Sequence, residues 1–146
     1  MRVVVQRVRH AKVEVDNKET GSIQNGLLLL VGIHEEDSEE ELEWMCEKIL
    51  KLRIFDDESG KMNDSVQHVG GELLVVSQFT LYGDAEKGNR PSYIKAAGPD
   101  KAEELYEKMI SYFKEHSDVN VETGVFGAYM DVELLNDGPV TIILDR

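Results

Sequence analysis

The sequence predicts a single α/β domain over residues 1–146, with a mixed, strongly curved, barrel-like sheet and two long helices packed outside it. Three observations carry this. Apolar runs of strand length recur from one end of the chain to the other, and two segments repeat their apolar residues at helical spacing. No repeat, linker or low-complexity tract divides them, and 146 residues suit one domain with a real core.

The elements follow in order. Val3–Val8 reads as a strand, and Ala11, Val13 and Val15 alternate with Lys12, Glu14 and Asp16 at the period of a half-buried strand. "SIQNG" then turns the chain, and the continuous apolar run Leu27–Ile33 suits a strand buried on both faces. "EEDSEEELEWMCEKILKLRIF" reads as a helix. Ser38 and Glu41 form a capping-box pattern at its start, acidic residues fill its first turn, and Leu42, Met45, Cys46, Ile49 and Leu52 share a face. Asp56–Gly71 reads as a loop. Its acidic residues do not make a calcium loop, because Gly60 falls one place early and no glutamate closes it. Glu72–Asp84 begins as a buried strand and runs into polar residues, and "AEKGNRPSY" is a basic loop. A second helix follows with Pro99 in its first turn and Ala102, Leu105, Tyr106, Met109, Tyr112 and Phe113 on its apolar face. Three strand candidates close the chain: Val119–Thr123, Ala128–Leu135 and Val140–Leu144, the last two flanking a turn at Asn136–Pro139.

Composition narrows the function. A net charge of −13 argues against wrapping long nucleic acid, whose backbone needs Lys and Arg, but leaves room for a local basic patch that meets one end. There is no apolar run long enough for a membrane span and the start has a strand pattern rather than that of a signal peptide. One cysteine, Cys46, fits a reducing cytoplasmic setting, and its place on the helix stripe marks it as core. No P-loop, dinucleotide fingerprint or nucleophile elbow occurs, and His10, His34, His68 and His116 lack metal-ligand spacing. No metal and no cofactor is expected; an enzyme of this composition leans on backbone groups or on its substrate.

Two motifs stand out together: "SQFTL", Ser77–Leu81, at the end of a buried strand, and "NDGPVT", Asn136–Thr141. With "KGNRPSY", "TGVFGAYM" and the N-terminal "MRVVVQRV", they resemble the D-aminoacyl-tRNA deacylase family over essentially the whole chain. The resemblance implies that fold, a homodimer with active sites at the subunit interface, and hydrolysis of the ester joining a D-amino acid, or glycine, to the 3′ end of tRNA. Within it, Ser77, Gln78, Phe79 and Thr80 are the expected catalytic residues, with the oxyanion contacts at the Phe79 and Thr80 N–H groups. Gly138 and Pro139, joined by a cis bond, are expected to enter the partner's site and face the α-carbon, with Arg7 as tether. Phe126 and Met130 are expected near the adenosine. The resemblance departs at Tyr129, where the family often has an acidic residue.

Residue chemistry alone leaves alternatives. Thr80 as nucleophile needs an adjacent base, and the sequence offers none, so a backbone role and help from the substrate's 2′-hydroxyl are the preferred expectation. Lys87, Asn89 and Arg90 are candidate contacts for phosphates near the tRNA 3′ end, or a solvated loop. The same fold can also serve as a non-catalytic RNA-end binding module, or as a deacylase of another acyl-tRNA.

Overall fold

β1 (Arg2–Val15) is the strand on which the sheet is assembled. In this computed structural model, which describes residues 1–146, the first half of β1 pairs antiparallel with β3 (Gly26–Gly32), and the second half pairs with β2 (Lys18–Ile23). β3 runs parallel to β6 (Glu72–Ser77), and β6 parallel to β7 (Asn120–Thr123). The order is β2-β1-β3-β6-β7, with β8 (Asp131–Asp145) along the free side of β1. Because β2 curls round against β7, the sheet is nearly closed and barrel-like.

Strand alternation divides the apolar residues between two faces. Val3, Val5, Leu27, Leu29, Val31, Leu73 and Val75 face α1 (Glu39–Lys51) and α2 (Pro99–His116) in the main core. Val8, Ala11, Val13, Leu28, Leu74 and Val76 form a second layer on the other face, with Ile23 from β2. The capping box at α1 is formed: the Glu41 carboxylate accepts from the Ser38 N–H (2.9 Å) and hydroxyl (2.6 Å). These bonds hold the Glu41 carboxyl below its ordinary value. Cys46 is fully buried, and burial pushes its thiol up to about 12, so it is core and not a nucleophile.

The structure corrects four expectations. α1 stops at Lys51, and the segment "RIF" forms β4 (Arg53–Asp56), antiparallel to β5 (Met62–Ser65) inside the presumed loop. β2 takes up Lys18–Gly21, for which the sequence predicts no element, and Ser22 and Ile23, the first two residues of the predicted turn. The closing hairpin does not exist: β8 is one strand that runs antiparallel to β1 on both sides of Gly138–Pro139. Residues 137–140 instead bulge out of β8 opposite the single residue Arg7, since Gln6 pairs with Thr141 and Val8 with Asn136.

Candidate active site

β3 and β6 end side by side at Val31 and Ser77. Beyond Ser77 the Gln78 N–H still donates to Val31 O (2.7 Å), and the chain then tightens into a 3₁₀ helix, Phe79–Tyr82. Gly32 permits this: a Cβ there would stand 3.1 Å from Leu81 Cβ and 3.2 Å from Gln78 O, so the turn lies directly on the end of β3. The first internal bond of the turn runs from the Leu81 N–H to Gln78 O (3.2 Å). The Phe79 and Thr80 N–H groups precede it and have no acceptor in the turn, as expected for the opening residues of a helix.

A cleft of about 400 Å³ opens beside this turn. Val31, Ile33 and Ser77 line it from the strand ends, and Phe79 and Tyr93 form one wall, packed edge to face at 5.1 Å. Ala96, Ala97, and Pro99 and Ala102 of the first turn of α2 form another. Phe126 and Gly127 close it from the β7–β8 connection, with the Phe126 ring 5.7 Å from that of Tyr106. Tyr106 is itself fixed in the core by donating to Val75 O (2.8 Å). The lining is mostly apolar, with a few polar groups at its edge, the usual character of a small-molecule or base pocket.

Of the residues predicted from sequence, Ser77, Phe79 and Phe126 meet in this cleft. Gln78 and Thr80 stand beside it, with Gln78 Nε2 donating to Thr80 Oγ1 at 2.5 Å. That hydroxyl has no carboxylate, imidazole or amine as a hydrogen-bond partner. Behind the turn, the Tyr82 hydroxyl is pushed up to about 12, chiefly by burial, and so offers a neutral O–H rather than a base. Lys87, Asn89 and Arg90 project from an exposed loop whose ends are joined by reciprocal Asp84–Ser92 hydrogen bonds, both 2.8 Å, immediately before Tyr93. Met130 does not line the cleft; it packs with Val132 and Leu134 against the second apolar layer. Tyr93, Ala97 and Pro99 are wall residues that the sequence reading did not assign to the site, although Tyr93 ends the "KGNRPSY" motif.

The Gly138–Pro139 bulge lies elsewhere in the same chain. Its β1 neighbour Arg7 pairs with Leu27, four residues from the Val31–Ser77 pair, or about 13 Å along β3. The Gly138–Pro139 peptide is cis, and both residues are exposed. Asn136 clasps the mouth of the bulge, its Nδ2 donating to Arg7 O (2.9 Å) and Val140 O (3.1 Å). Arg7 is buried, donates to Ile54 O (2.7 Å), and brings its Nε within 3.0 Å of Asp137 Oδ2. That last contact is an ion pair without hydrogen-bond alignment, which leaves Nε free of a true acceptor. Arg9 meets the other Asp137 oxygen at 3.1 Å, so two arginines grip one bulge residue.

A sequence model of the family described as D-Tyr-tRNA(Tyr) deacylase matches residues 4–145. A D-aminoacyl-tRNA deacylase of Thermosipho africanus (strain TCF52B) is 57% identical over 145 residues, covering 99% of this chain and 97% of that protein. One of Chloroherpeton thalassium (strain ATCC 35110 / GB-78) is 59% identical over 145 residues, covering 99% and 95%. Among solved structures, a c-Myc DNA unwinding element binding protein is 43% identical, with a TM-score of 0.95 and coverage of 100% and 99%. A probable eukaryotic D-amino acid tRNA deacylase, at 18% identity and a TM-score of 0.84 over 99% and 98% of the two chains, shares the fold.

Proposed function

The chain belongs to the D-Tyr-tRNA(Tyr) deacylase family, and from that premise we propose that the cleft beside Phe79 takes the 3′-terminal adenosine of tRNA with its ester at the Phe79 and Thr80 N–H groups. The protein is a hydrolase of the aminoacyl-tRNA ester, a D-aminoacyl-tRNA deacylase. The observation that carries the site assignment is a largely apolar cleft that ends at two uncommitted backbone donors. Water attacks the ester carbonyl, and the oxyanion forms where the donors point. The bond to the ribose 3′-oxygen then breaks, and that oxygen takes up the proton. Backbone donors held in place before reaction need no reorganisation as charge develops. Glycine on tRNA is a second substrate in this reading, because a site that excludes an L side chain leaves hydrogen unhindered.

The α-carbon is read by Gly138 and Pro139 of a second copy. Two features support this. Within one chain the bulge and the cleft lie at opposite ends of β3. The cross-strand row Ile143, Val4 and Leu30 also leaves apolar surface uncovered on the face away from the helices, close to the sheet end that bears Phe79, itself 56% exposed. A homodimer would cover that face and bring each bulge to the other copy's cleft. In this assignment Arg7, gripping Asp137, holds the bulge in place. No helix is long and apolar enough to cross a membrane, and we assign the protein to the cytoplasm, where charged tRNA is found. The name of the 43%-identical structure raises DNA binding as a second reading; the charge of −13 disfavours it, since a duplex needs a basic face.

Release of amino acid from one tRNA charged with either the D or the L form tests the proposal. Rapid release of the D form alone is expected; equal rates, or none, overturn it. Thr80→Ala is expected to keep activity within about tenfold, since the N–H survives, whereas loss of a backbone-type donor costs about 10²–10³-fold. A near-complete loss in Thr80→Ala would restore the side chain as nucleophile.

A further inference from the structure

Building on the deacylase reading, we infer that the exposed segment Arg90–Lys95 is a second subsite, which holds the unpaired nucleotides preceding the terminal adenosine. Charge is the first observation. Arg2, Arg7, Arg9, Lys12, Lys51, Lys108 and Arg146 are engaged by carboxylates. Nine cations carry no such partner. Six of them, Lys18, Lys48, Arg53, Lys61, Lys101 and Lys114, lie elsewhere in the fold, whereas Lys87, Arg90 and Lys95 fall on the one exposed segment that flanks the cleft-lining Tyr93 and Ala96, on a chain of net charge −13. A phosphodiester approaching this protein is repelled by most of the surface and met by free cations here. The second observation is apolar exposure between those cations. Ile94 is 81% exposed and follows Tyr93, whose ring lines the cleft and packs on Phe79. Alternating cations with an aromatic and an aliphatic surface suits single-stranded RNA, whose bases need an apolar platform and whose phosphates need charge.

The third observation is that the segment is held rigidly outward. Ser92 exchanges backbone bonds with Asp84, the Ala97 N–H donates to Ile33 O (2.9 Å), and Lys95 O accepts from the Glu35 N–H (3.2 Å). The side chains of Arg90, Ile94 and Lys95 are therefore presented on a fixed backbone at the point where the nucleotide chain must leave the cleft. Lys101 is not part of the set, because its ammonium donates to Glu35 O (2.5 Å).

The test compares binding of a ribooligonucleotide ending in the tRNA 3′ sequence with binding of adenosine alone, in wild type, Arg90→Ala/Lys95→Ala and Ile94→Ser. The double variant is expected to bind the oligonucleotide about tenfold more weakly and to lose about 1.4 from the slope of log K against log salt, at ~0.7 per single-strand phosphate. Adenosine binding is expected to stay unchanged. Ile94→Ser is expected to weaken the oligonucleotide severalfold and keep the wild-type slope. Unchanged oligonucleotide binding, or an equal loss for adenosine, overturns the subsite. If wild type shows these differences but does not hydrolyse D-aminoacyl-tRNA, the deacylase reading falls and the RNA subsite stands.

Discussion

Gly138→Ala is expected to lower D-aminoacyl-tRNA hydrolysis by about 100-fold or more, since a displacement of about 1 Å at a reacting centre has that effect. The reason is local. Gly138 has φ +113°, a conformation that L residues rarely adopt. An added Cβ would stand 2.8 Å from Val140 Cγ2, 3.1 Å from Val140 N and 3.2 Å from Arg7 Nη2. None of these neighbours yields easily. Val140 packs against the main core, and Arg7 is buried and bound to Ile54 O and Asp137. The backbone of residues 137–140 must therefore move, and with it the carbonyls proposed to face the substrate α-carbon. Stability should fall by only about 1–3 kcal/mol, the cost of one strained residue, because Asn136 and the flanking β1–β8 pairs remain. Adding Val140→Ala removes the closest contact but neither the φ nor the Arg7 contact, so recovery should be partial. Denaturant unfolding and single-turnover release of D-amino acid measure the two effects separately. A Gly138→Ala protein that hydrolyses at the wild-type rate would remove the bulge from the mechanism.

The same bulge shows what local sequence can and cannot specify. Gly138-Pro139 after Asn136-Asp137 is good turn chemistry, and read locally it reverses the chain. What decides otherwise is β1, more than a hundred residues away, which pairs with β8 on both sides of the interruption. β4 was hidden in the same way. Leu52, Ile54 and Phe55 continue the apolar pattern of α1, and only pairing with β5 makes Arg53–Asp56 extended. β2 carries Lys18, Glu19 and Gly21, a polar composition that suits a sheet edge but has no strand period of its own. Elements whose signals are local were legible: the Ser38–Glu41 box, Pro99 at the start of α2, and the two helical stripes. For the site, "SQFTL" was readable as a motif, but its cleft was not. Ala96, Ala97 and Pro99 are small apolar residues with no chemistry to announce them, and they become walls only because α2 begins beside the end of β6. Met130 lies outside the cleft because two residues near each other in sequence, Phe126 and Met130, pack against opposite faces of the sheet.

A substrate whose tRNA ends in 2′-deoxyadenosine, with the ester on its 3′-oxygen, is expected to react about 10²–10⁴-fold more slowly, the range for loss of one positioned proton-transfer group. The protein side of the argument is a lack of bases. Thr80 Oγ1 has only the Gln78 amide as partner, the Tyr82 hydroxyl stays protonated to about 12, and Cys46 is sealed in the core with its thiol pushed equally high. The hydroxyls that line the cleft, those of Ser77 and Tyr93, have no carboxylate or imidazole partner to make either a base. The hydroxyl next to the leaving 3′-oxygen belongs to the substrate. It can donate a hydrogen bond to the leaving oxygen or orient the attacking water, and the protein then needs only to hold the ribose and stabilise the oxyanion. The prediction separates this division of labour from one with an unrecognised protein base. In the latter case the deoxy substrate would react at nearly the ribo rate and activity would follow the titration of a side chain. Binding of the two substrates should differ little, so the effect belongs in kcat and not in KM. A deoxy substrate with an unchanged kcat would overturn substrate assistance while leaving the oxyanion assignment at Phe79 and Thr80 to be judged by its own variants.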